Sequence, residues 1–205
     1  MRNRIVAFVK YEADPYDLEL RDCADLKWCS LSDPDFWKNE IPVWGVCRPD
    51  IRAKLKPGDV VLFIPKILTM EKWTLPHKEY ICSGLLVVSE LLSGRNQVKS
   101  DKRLKPDYTQ DWAKDIEGHS NGEKRERNFV IGTPVAGKKS FESAKSKPSW
   151  MSRWFGSHGN KMKDILNGTG YPYASLFTQN ITRLHESSYP GSVERIYLQA
   201  IASCE

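Results

Sequence analysis

Long apolar runs are missing from this 205-residue chain, and so are the sequence patterns of most common catalytic machines. The longest apolar candidate, residues 84–88, is strand-length and falls far short of the roughly 18 residues a membrane-spanning helix requires. The chain opens Met1-Arg2-Asn3-Arg4, then runs apolar over 5–9 before Lys10 and Glu12. That stretch is too short for a signal-peptide core, so it reads as a first strand and the protein as cytoplasmic. Cysteine is sparse: Cys23, Cys29, Cys47, Cys82 and Cys204 are odd in number and irregularly spaced, against a disulfide framework. No CxxC pair and no HExxH occur, and the four histidines are scattered, so neither a metal nor a cofactor is expected. A P-loop, an ordered catalytic triad, an internal repeat and a low-complexity tract are absent as well.

What is present is a globular composition, 40% hydrophobic and 28% charged, with the positive charge concentrated in one place. Residues 136–164 carry Lys138, Lys139, Lys145, Lys147, Arg153, Lys161 and Lys163 against only Glu142 and Asp164. That excess equals the net charge of the whole chain, +5, so the remainder sums to zero. The same segment holds Phe141, Trp150, Trp154 and Phe155. Cations hold phosphates and aromatic faces stack bases, so the combination is the footprint of a nucleic-acid surface. The spacing also has a structural reading. Trp150 and Trp154 lie four apart, as do Met151 and Phe155, which is how a helix presents a core face.

The pattern predicts strands over 4–11, 43–46, 60–64, 80–92 and 129–131. Pro65 is expected to end the third of these, and residues 93–96 the fourth. Short helices are expected over 49–55, with Ile51 and Leu55 on one face, and near 148–155 and 160–166. Gly156 and Gly168 sit where C-terminal caps would fall. Lys56-Pro57-Gly58-Asp59 is a turn in which Gly58 would take a positive φ and Asp59 would accept backbone N–H bonds. Residues 93–127 read as a polar insertion or loop, with mixed charge. Residues 195–201 fit a strand or a helix equally well. The whole, 1–205, reads as a single α+β domain.

The stretch 44–63, a short helix followed by Lys-Pro-Gly-Asp and an apolar strand, resembles the opening of PUA-like domains, including the EVE, YTH and ASCH branches. The returning strand at 81–91 fits the same pattern. More narrowly, Cys47-Arg48-Pro49-Asp50-Ile51-Arg52 followed by Gly58-Asp59 is similar to the signature of nucleotide-modification-associated domains. The resemblance implies a small, partly closed mixed β-barrel with peripheral helices. It also implies a nucleic-acid-binding module that recognises a modified nucleobase, in DNA or RNA. By position near the sheet rim, Trp44 and Trp73 resemble the residues with which PUA-like readers clasp a flipped base; core packing is their other reading.

Arg48 and Arg52, four apart, would share a helical face aimed at phosphate or a base edge. With Lys138, Lys139, Trp150, Arg153 and Trp154 they make up the candidate binding set. An enzyme acting on nucleotides or nucleic acid, on the lines of the ASCH hydrolases, is the alternative. Its candidate groups are Cys47, Lys54, Lys56, Asp59, Lys66 and Glu79. Cys47, near a helix N-terminus, reads either as a nucleophile with a lowered pKa or as a small buried hydrophobe. No membrane partner is expected, and the sequence names no protein partner.

Overall fold

A computed structural model describes residues 3–13, 36, 41–45, 49–69, 72–74, 80–93, 95–101, 129–134, 150–178 and 181–202. The described residues form a mixed β-sheet with a few small helices, an α+β fold. By contacts the chain divides into two compact units, each drawn from separate stretches of sequence. One comprises Met1–Asp25, Asp59–Leu86 and Arg153–Glu205; the other Leu26–Gly58 and Val87–Ser152.

The first unit is built on β1 (Ile5–Ala13) and β3 (Val60–Thr69), which pair in parallel from Val6↔Val60 to Ala13↔Ile67. Ile5 to Val9 and Val60 to Ile64 are all buried, so both strands read as continuous apolar runs, as strands covered on both faces do. Each large side chain buried there, such as Phe8 or Phe63, contributes about 1.5–3 kcal/mol. β8 (Ile181–His185) adds antiparallel to the outer edge of β1, and β4 (Lys72–Thr74) to the end of β3. Arg4 locks this edge: its guanidinium donates to both Glu186 oxygens, at 2.9 and 3.0 Å. The sequence expectation that Pro65 ends β3 is wrong. The β1 register passes through Tyr11↔Pro65 without a shift and the strand continues to Thr69, which a missing N–H permits where it would not serve the ladder.

β5 (Gly84–Leu92) begins later than expected. Residues 80–83 are held by isolated contacts instead: Met162 N–H donates to Tyr80 O at 2.7 Å and Cys82 N–H to Asn160 O at 2.9 Å. The helix expected near 148–155 is absent in its described part. Arg153–Trp154 is β7, an extended segment paired with β5 as Leu85↔Arg153 and Gly84↔Trp154. The four-residue spacing of the tryptophans therefore does not come from a helix. Gly156 (φ 58°) opens a 3-10 turn, Gly156–His158, and caps nothing. The second expected helix exists, as Met162–Ile165. Residues 195–201 resolve as helix within Ser192–Ile201. Val193, Ile196, Tyr197 and Ala200 bury an i, i+3, i+4, i+7 stripe that no strand would produce.

In the second unit the order is β2-β6-β5, with β2 (Val43–Trp44) and β6 (Phe129–Gly132) antiparallel and the later part of β5 beside β6. The ladder shifts register between Val88 and Glu90. Gly45 is required by packing: a Cβ there would lie 1.9 Å from the Phe129 ring. Helix α1 (Pro49–Arg52) buries Ile51, with Leu55 beyond it, as the spacing predicts. β5 ends at Leu92, as the sequence predicts, and α2 (Arg95–Ser100) follows, where the Gln97 side chain accepts from Ser93 N–H at 2.8 Å, in the manner of a capping box. Residues 102–128, most of the expected insertion, lie outside the described residues.

The Lys-Pro-Gly-Asp turn forms, with Gly58 at φ 88°. Gly58 N–H donates to Val88 O at 2.7 Å. Asp59 is buried, and its Oδ1 accepts the N–H of Ile5 at 3.1 Å, so the carboxylate satisfies the start of β1.

Candidate functional site

A group of aromatic and hydroxyl side chains gathers where β1 leaves the fully buried part of the first unit. Tyr11, half-buried, reaches Ser83 with its hydroxyl, 2.8 Å from Oγ. Ser83 is fully buried and immobilised on every side. Its N–H donates to Phe63 O at 2.9 Å and its own carbonyl accepts from Phe155 and Gly156. The serine hydroxyl donates to that same Phe63 oxygen at 3.1 Å. The Tyr11 ring meets Phe63 edge-on at 6.2 Å and Trp154 at 6.5 Å, tilted by 53°. Such ring pairs are worth about 0.5–1.5 kcal/mol beyond their buried area. Trp154 stands opposite Gly84 in the β5–β7 ladder, where the partner residue offers no side chain to compete for the space. Trp154 and its neighbour Arg153 are both half-buried.

A second aromatic group lies around Lys10, the residue before Tyr11. Side chains alternate along a strand, so Lys10 and Tyr11 leave opposite faces. The Lys10 ammonium sits 4.8 Å from the Tyr80 ring centre and donates to the Leu176 carbonyl. Phe177 contacts Tyr80 and Tyr173, with ring centres 4.9 and 5.0 Å apart, and stays 43% exposed. Burial, with Tyr173 adding to it, raises the Tyr80 phenol above its ordinary range.

The candidates named from sequence are placed as follows. Trp154 and Arg153 belong to the Tyr11 corner. Trp150 is half-buried. Trp44 is fully buried in the second unit, the core-packing alternative. Arg52 is fully buried too and makes contacts within the protein, so its guanidinium does not face outward from α1 as the sequence suggested. Trp73 lies in β4 opposite Leu68. Lys54 and Lys56 are exposed around the turn, Asp59 is committed to Ile5, and Lys66 lies in β3 as the register partner of Glu12. Cys47, Arg48, Glu79, Lys138 and Lys139 lie outside the described residues. Lys161 and Lys163 are exposed. Among the described residues no group of His, Cys, Asp or Glu is arranged to hold a metal ion, Cys82 is a buried free thiol, and no helix is long and apolar enough to cross a membrane.

Sequence reasoning missed Tyr11 and Ser83. The only hint was an aromatic residue at the polar end of an apolar strand. Comparison with protein-family models, with curated proteins and with solved structures gave no match.

Proposed function

We propose that the protein is a nucleic-acid-binding module of PUA-like build that recognises a modified nucleobase, in the setting of DNA or RNA base modification or its sensing. The observation that carries this reading is the half-buried Trp154 ring beside Tyr11, at the heart of the chain's one strongly basic segment. A partly exposed indole offers a stacking face, and Arg153, Lys161 and Lys163 supply cations from the same stretch of sequence. The mixed sheet with small helices and the Gly58-Asp59 turn, with Asp59 buried, are compatible with a PUA-like barrel.

An electrophoretic titration at low salt, with modified and unmodified oligonucleotides, tests it. Binding is expected to favour a modified strand and to weaken about ten- to a hundredfold in Trp154→Ala, the worth of one stacked base. Retardation of neither oligonucleotide at low salt would sink the reading.

A second reading, hydrolysis of a modified nucleoside or of nucleic acid, draws on one observation: the β1–β3 register sets Lys66 opposite Glu12. A lysine and a carboxylate are residue types that can serve together as acid and base. Turnover of modified nucleosides that disappears in Lys66→Met would favour it over binding alone.

A further inference from the structure

Arg153 holds its charge where the fold itself makes no use of it. Opposite it in the β5–β7 ladder stands Leu85, which is fully buried. The arginine is half-buried, and its Nε–H is enclosed with no hydrogen-bond partner. No other cationic nitrogen among the described residues is left in that condition. No hydrogen bond or ion pair answers the rest of the guanidinium among the described residues either. The two terminal nitrogens are not enclosed as Nε is, so they meet solvent. Arg4, by contrast, is matched to both oxygens of Glu186. A buried donor without an acceptor and a cation drawn partly out of water each cost free energy. An apolar side chain of similar shape would remove both costs.

We infer that Arg153 is the seat of a phosphate oxyanion, so that the protein takes its base in phosphorylated form, within a strand or as a nucleotide, and discriminates against the uncharged nucleoside. This rests on the nucleic-acid reading above and names the form of the ligand. The terminal nitrogens of a planar guanidinium can take two oxygens of one phosphate together. Beside Leu85 water screens the cation less than it screens an exposed one, so an arriving anion feels it more strongly. Lys163, exposed in the same basic segment, offers only a screened point charge.

The test compares the full-length protein with Arg153→Met, which keeps an unbranched stem and removes the charge. Urea unfolding is expected to show a higher midpoint for Arg153→Met, because an unanswered cation has left the fold. Fluorescence anisotropy with a labelled oligodeoxyadenylate, repeated over a salt series, should show the opposite effect on binding. Affinity at low salt should fall about tenfold, the value of one charge-assisted hydrogen bond. The slope of log affinity against log salt should become shallower by about 0.7, one phosphate of a single strand. Competition with deoxyadenosine and with its 5′-monophosphate separates the two sources of phosphate. Displacement by the monophosphate that is lost in Arg153→Met assigns a terminal phosphate. Displacement by neither, with the slope change intact, assigns a phosphodiester of the strand. Deoxyadenosine competing as well as the monophosphate overturns the inference. An unchanged slope, or a variant less stable than the unaltered protein, overturns it as well and leaves the nucleic-acid reading standing. Binding of no strand at low salt removes that reading, and this inference with it.

Discussion

The turn at residues 56–59 and the corner at Tyr11 use buried polar groups in opposite ways. Asp59 directs its carboxylate to the N–H of Ile5, and Gly58 its N–H to the carbonyl of Val88, both main-chain groups. At the corner the buried hydroxyl of Ser83 meets a side chain, the half-buried Tyr11, at 2.8 Å. A polar group answered by backbone fixes where a chain segment starts or turns, whereas one that meets a half-buried side chain fixes where that side chain sits. The turn is four consecutive residues, while the corner is collected from positions 11, 63, 83 and 154.

The harshest way to break the corner is at its support. A Cβ on Gly159 would lie 1.5 Å from the carbonyl oxygen of Cys82, the residue before Ser83. Backbone has to move to admit it, unlike the end of a flexible side chain. Gly159→Ala is expected to cost about 3 kcal/mol, the upper part of the overpacking range, read as a lower urea midpoint with an unchanged slope. A loss well under about 1 kcal/mol would mean that the segment carrying Ser83 is pliable, and a pliable Ser83 would not hold the Tyr11 hydroxyl in place.

The turn should break without touching recognition. Asp59→Ala leaves the Ile5 N–H buried with its acceptor gone, which costs about 2 kcal/mol. Asp59→Asn keeps a side-chain oxygen able to accept and should recover most of that loss. Oligonucleotide affinity per folded molecule is expected to stay constant across both variants. A selective loss of affinity in Asp59→Ala would erase the distinction between turn and corner.

That distinction also explains what was legible in the sequence. Gly58 announces itself because few residues tolerate φ 88°, and the runs over 5–9 and 60–64 announce buried strands because nothing polar interrupts them. The 150–154 stretch misled because an i, i+4 pair of tryptophans fits a helix, whereas pairing with Leu85 and Gly84 imposes extended backbone, and pairing partners distant in sequence leave no local trace. Arg52 misled for a related reason: a cation on a short helix reads as a surface group until packing encloses it. Residues 195–201 were ambiguous because the window omitted Val193, the first member of the buried stripe. Tyr11 left only the hint of an aromatic residue at the polar end of an apolar strand and Ser83 left none, since their contact joins positions 72 residues apart.

The gentlest comparison concerns the two faces of β1, where Tyr11 leads to Ser83 and Lys10 leads to Tyr80. Burial, then Tyr173, raises the Tyr80 phenol, so the folded chain holds this proton more tightly than the unfolded chain does. The sign follows. Below about pH 10, the ordinary phenol value, both states are protonated and the full contribution of Tyr80 is present. As pH rises past that value the unfolded chain ionises first, and stability is lost up to the raised folded pKa, at no more than about 1.4 kcal/mol per pH unit. Tyr80→Phe keeps a ring beneath Lys10, so the difference between the two proteins isolates the phenol. Urea titrations from pH 9 to 11 should therefore show the unaltered protein losing ground steadily to Tyr80→Phe. A difference that stays flat over that interval would mean the Tyr80 hydroxyl is as well solvated as in the unfolded chain.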